Sequence, residues 1–122
     1  MSVASPTDLS AFVERIHTQP DQILFEETLA VIDANFDFTP VAFATGVQNN
    51  TPGTNMGSCK VLSFAHAMNL PVDTTLQLFG DYYRVDVLQH PDGTDHANIR
   101  EFMRLGWRGV NFAEPALKRK SG

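Results

Sequence analysis

Apolar residues recur three and four apart in short segments, and proline or glycine cuts off each segment. That pattern constrains the fold more than any other feature, because it is the periodicity of short amphipathic helices and not of strands. Leu9, Phe12, Val13 and Ile16 form the first stripe, between Ser5-Pro6-Thr7-Asp8 and Pro20. Ser5 is the expected N-cap, Pro6 the first helical residue and Asp8 a favourable acid in the first turn. Phe25, Leu29, Ile32 and Phe36 make the second stripe, which should stop near Asp37 because Pro40 disfavours helix in the residue before it. Ser58 is the expected cap of a third helix bearing Val61, Phe64, Ala65 and Met68, which ends near Asn69. Pro71 opens a fourth region with Val72, Leu76, Phe79, Tyr83 and Val87 on one face, and Gly80 marks a break or a close crossing within it. Thr94 or Asp95 caps a fifth helix carrying Ile99, Phe102 and Met103, and Gly106 ends it.

Two stretches lack this period. Val41 to Val47 reads equally as a short strand or a helical turn, and Trp107 to Phe112 reads as a short strand whose expected partner is Val41 to Ala44. Gln48 to Gly57, with Asn49, Asn50, Pro52, Gly53 and Asn55, is expected to be a long flexible loop. The fold class is therefore mainly α, about five helices with a small two-stranded β element, in one domain over residues 1–122. The tail over residues 116–122, with Lys118-Arg119-Lys120, is expected to fray. Phe25, Leu29, Ile32, Phe64, Phe79, Phe102 and Trp107 are the expected core.

The 122 residues carry a net charge of −5, with a pI near 5.1. An acidic balance argues against nucleic acid as a partner, since phosphate binding needs a positive surplus. No apolar run approaches a membrane span, and no basic, apolar leader of the secretory kind is expected at the start. The lone cysteine, Cys59, excludes an internal disulfide and fits a reducing compartment.

Reactive side chains gather in three places: Ser58-Cys59-Lys60, Asp81 to Asp86, and Asp92 to Arg100. Cys59 near a helix start, beside Lys60, is the candidate nucleophile, with His96 as its base and Asp95 as the orienter. The competing role, a small buried apolar residue, is the commoner one for cysteine and is preferred. His90, Asp92, Asp95 and His96 match no zinc or calcium spacing, so neither a metal nor another cofactor is assigned. The third reading is a binding surface of Asp81, Tyr82, Tyr83, Arg84, His96, Asn98 and Arg100. Its aromatic rings and guanidinium forks suit a protein partner or a small anionic ligand. Internal pairing of the arginines with Asp81, Asp86 or Asp95 is its structural alternative.

Gly57-Ser58-Cys59-Lys60, Phe79-Gly80-Asp81-Tyr82-Tyr83-Arg84, Asp86-Val87-Leu88 and Pro91-Asp92-Gly93-Thr94-Asp95-His96, followed by Asn98-Ile99-Arg100, resemble the HopJ type III effector family. Asp37-Phe38-Thr39-Pro40, Phe102-Met103, Gly106-Trp107 and Gly109 extend the resemblance, which covers about residues 25–112. It implies a bacterial cytoplasmic protein that is a candidate for delivery into host cells by a type III secretion system. It carries over no catalytic residue.

Overall fold

The structure, a computed structural model, describes residues 8–120. The expected cap at Ser5 and first helical position at Pro6 lie outside them. Asp8 itself is the N-cap of α1 (Leu9–Thr18), its carboxylate accepting from the Ala11 N–H at 3.2 Å. Pro20 opens a single 3-10 turn, Pro20–Gln22, that leads to α2 (Phe25–Asn35). Glu27 serves twice here: it accepts the Leu24 N–H at 3.1 Å and pairs with Arg15 of α1. One carboxylate thereby satisfies an orphan donor at the start of α2 and ties the first two helices together.

Helix continues in α3 (Met56–Ala67), α4 (Val72–Gln77) and α5 (Ala97–Leu105), with a π-helical run, Tyr82–Val87, between the last two. Gly80 accounts for the break after α4. Its φ is +61°, and a Cβ there would stand 2.6 Å from the Phe25 backbone nitrogen. Both requirements, the left-handed turn and the close crossing, exclude a larger residue. Gly106 closes α5 at φ +66°.

The helices bury Ile32, Phe64, Phe79 and Phe102 in one core, with Phe25, Leu29 and Trp107 partly buried against it. Trp107 packs edge-on to Phe102 at 4.9 Å between centroids and donates its indole N–H to the Leu70 carbonyl at 2.9 Å. Rings placed this way contribute about 0.5–1.5 kcal/mol beyond their burial.

The mainly α class with a small β part holds, but the strands outnumber the expected pair. β1 (Phe36–Phe38) pairs antiparallel with β5 (Leu117–Arg119). A second sheet runs β3-β2-β4, from β2 (Phe43–Thr45), β3 (Gln48–Asn50) and β4 (Val110–Phe112). The expected pairing of the two non-helical stretches is present, with Phe43 opposite Phe112 and Thr45 opposite Val110. Two expectations are corrected. Gln48 to Asn50 is a strand and not the start of a flexible loop, because Asn50 is buried and fully hydrogen-bonded. The tail is not frayed over Leu117–Arg119: backbone pairing holds it, and Arg119 lies over the Phe36 ring at 5.4 Å.

Candidate functional site

The segment of Asp81 to Asp86 and that of Asp95 to Arg100 meet, and the geometry has a clear organiser. Arg100, on the first turn of α5, sends its guanidinium back into the preceding turn. It donates to the Asp95 carbonyl at 2.6 Å, the His90 carbonyl at 2.8 Å and Asp95 Oδ1 at 2.7 Å. It also reaches across to the Asp86 carbonyl at 3.3 Å. A planar fork with five donors can hold four acceptors in fixed directions, which an ammonium cannot. Gly93 closes over this cation, and a Cβ at that position would stand 2.6 Å from Arg100 Nη2.

His96 is presented on this frame. It is the N-cap of α5 in the left-handed conformation, φ +51°, and makes no side-chain cap hydrogen bond. The expected cap at Thr94 or Asp95 is thus displaced, since Asp95 is committed to Arg100. The imidazole instead turns toward the π-helical run. Its Nε2 lies 3.0 Å from Asp86 Oδ2 and 3.8 Å from Asp95 Oδ2, and the Tyr82 ring packs against it at 4.9 Å. Tyr82 and Asp86 are four residues apart and reach His96 from one face of their segment. Arg100 holds the Asp95 carboxyl below its ordinary range, chiefly through the direct hydrogen bond. Tyr82 is 40% exposed, and the side chains of Asp86 and Asp95 are 42% and 59% exposed. This is a solvent-facing ledge.

The remaining expected binding residues leave it. Arg84 turns the other way and donates to Gln77 Oε1 at 2.8 Å and to the Ile23 carbonyl, with Asp81 4.0 Å distant. Tyr83 packs against the core. Asn98 is 4% exposed, and its amide is spent in a network that the sequence did not reveal. Asn98 Oδ1 accepts from the Thr45 hydroxyl and from Asn50 Nδ2 at 2.9 Å, while Asn98 Nδ2 donates back to Asn50 Oδ1 at 3.1 Å. Asn55 Nδ2 adds a bond to Asn50 Oδ1 at 2.7 Å. Asn55 and Asn98 of this network line a polar cavity of about 290 Å³ between α3, α5 and β3, with His96 and Ser58 also on its walls. Asn55, at φ +50°, is the N-cap of α3, so the expected cap at Ser58 lies inside the helix instead.

Cys59 is 2% exposed. Burial, the largest influence on its thiol, pushes it up. A buried, protonated thiol fails the first requirement of a nucleophile, and Ser58 rather than Cys59 lines the cavity beside His96. The residues proposed as one nucleophilic site therefore divide: Asp95 and His96 share the ledge, and Cys59 belongs to the core. Another cavity, of about 540 Å³, lies away from this chemistry, between Ser63 and His66 of α3 and the chain from Val110 to Leu117.

A solved crystal structure, described as that of unknown function protein VPA0580, superposes with a TM-score of 0.93 at 42% identity, covering 98% of this chain and all of the other. No curated protein matches. The model for the HopJ type III effector protein family matches residues 9–117, further in both directions than the resemblance read from motifs. With nearly its whole length matched, from α1 through the start of β5, this chain belongs to the HopJ type III effector protein family.

Proposed function

We propose that this protein is a non-catalytic recognition module whose contact surface is the ledge of Tyr82, Asp86, Asp95 and His96. The observation carrying this reading is the commitment of the two arginines. Arg84 and Arg100 are satisfied by carbonyls and side chains of the chain itself, so they are not free to receive an anion. The groups left facing solvent are an aromatic ring, an imidazole and two carboxylates on a fixed frame. The charge preference is thus the reverse of the one that two free guanidinium forks would have. A partner bearing lysine or arginine beside an apolar or aromatic group suits it. The family description adds a setting, delivery of the protein into a host cell to meet that partner.

A photoreactive amino acid in place of Tyr82, with a second protein carrying it at the exposed Val47 as control, tests the surface. In host lysate the Tyr82 position should give a discrete adduct that Asp86→Ala removes without changing the melting temperature. Diffuse labelling, equal at both positions and indifferent to Asp86→Ala, would refute the surface. Delivery is tested separately, with a translocation reporter fused to the full chain and a secretion-deficient strain as control.

A further inference from the structure

We propose that Asp86, Asp95 and His96 bind a divalent transition-metal ion, of the zinc or cobalt kind, at the edge of the ledge. The three ligand atoms all lie within 4.8 Å of one another. His96 Nε2 is 3.0 Å from Asp86 Oδ2 and 3.8 Å from Asp95 Oδ2. Atoms bound about 2.0–2.2 Å from one zinc ion stand about 3.0–3.6 Å apart, so the set closes on an ion with side-chain adjustments of about an ångström. One nitrogen and two carboxylate oxygens suit such an ion better than calcium or magnesium, which take oxygen ligands.

Three further features prepare the site. Arg100 grips the backbone carbonyls of both carboxylate residues, fixing the π-helical run and the turn before α5 relative to each other. It occupies Oδ1 of Asp95 and leaves Oδ2 toward the histidine, the outer-shell arrangement that orients a ligating carboxylate. The left-handed conformation of His96, costly for a residue with a Cβ, aims its ring at the two acids rather than at its own helix. The exposure of both carboxylates leaves room for water to complete the coordination shell. The Arg100 charge opposes a dication, so binding should be moderate, in the micromolar range.

The ion would take the lone pair of Nε2, displacing any proton shared with Asp86. None of this depends on the ledge having a protein partner, and the test uses the ion alone.

Chelator-treated protein is titrated with zinc chloride, and in parallel with cobalt chloride, by calorimetry and thermal melting. One saturable equivalent and a raised melting temperature are expected, with affinity falling at least tenfold in Asp86→Asn and in Asp95→Asn. His17→Gln, on the exposed end of α1, should leave both unchanged. In the unmutated protein, cobalt should shift the ring resonances of His96 far more than those of His17, His66 or His90, a readout that needs no variant to fold. No saturable binding, or shifts spread evenly over the histidines, would overturn the proposal. So would affinity indifferent to both asparagine variants.

Discussion

The buried amide pair of Asn50 and Asn98, beside the polar cavity, offers the sharpest perturbation. Asn98→Ala removes an acceptor shared by the Thr45 hydroxyl and Asn50 Nδ2, and a donor to Asn50 Oδ1. The consequences differ by atom. Asn50 Nδ2 keeps the Phe43 carbonyl at 3.2 Å, and Asn50 Oδ1 keeps Asn55 Nδ2 at 2.7 Å, so neither is orphaned. Thr45 is fully buried and loses its side-chain acceptor. Two forfeited bonds at about 1 kcal/mol, plus an unsatisfied hydroxyl at roughly 1–3 kcal/mol, give about 3–5 kcal/mol. For a chain of this length that is a fall in melting temperature of about 12–20 °C.

The mechanism, and not only the magnitude, can be tested. Thr45→Val on its own removes one bond and leaves Asn98 Oδ1 with its Asn50 donor, a loss of about 1 kcal/mol. In the double variant the orphaned hydroxyl no longer exists, so the combined loss should undershoot the sum of the singles by about 1–2 kcal/mol. Chemical denaturation of the four proteins closes the cycle. Additive losses, or an Asn98→Ala protein within 1 kcal/mol of the parent, would show that water from the cavity satisfies Thr45 and that the network is not a structural element.

Two other measurements follow from the same geometry. Cys59 in the folded protein should react with a thiol reagent at neutral pH no faster than the chain opens, and rapid stoichiometric labelling would restore the nucleophile reading. Because Arg100 depresses Asp95 below its ordinary value of 3.8, folding favours the ionised carboxyl. Its contribution is present above that value and is lost as pH falls through the lower folded one. Asp95→Asn should therefore show a flatter loss of stability on acidification than the parent, and parallel acid limbs would remove Asp95 from the account.

What the sequence could and could not convey separates along physical lines. Stripes spaced three and four apart located α1, α2 and α3, because burial of one helix face leaves a mark in the residues themselves. Gly80 and Gly106 marked their breaks for the same reason: a positive φ restricts the residue that can occupy it. β3 and β5 left no such mark. Each is three residues long: backbone bonds hold β5 to β1 far back along the chain, with Lys118 opposite Asp37, and β3 folds onto β2 across Gly46-Val47, with Asn50 opposite Phe43. Asn50 reads as a loop residue until Asn98, 48 positions later, supplies its hydrogen bonds. The caps of α3 and α5 fall elsewhere than expected, on Asn55 and His96, both in left-handed conformations.

The ledge shows how far an argument from residue type reaches. The guanidinium forks of Arg84 and Arg100, taken by themselves, suit an anionic ligand. In the structure Arg104 pairs with Glu101 at 2.6 Å, Arg100 is consumed by the turn that precedes its own helix, and Arg84 by Gln77 at the end of α4 and the Ile23 carbonyl. Guanidinium groups are the side chains best able to gather several carbonyls, so in a chain with more acids than bases the arginines are the first to be recruited for internal work. The acids outnumber them and remain at the surface. Asp86 comes from the π-helical run, and no motif places it beside His96, ten residues away. The resulting site is acidic and aromatic, and its selectivity should be for cations, whether carried on a partner's side chains or free in solution.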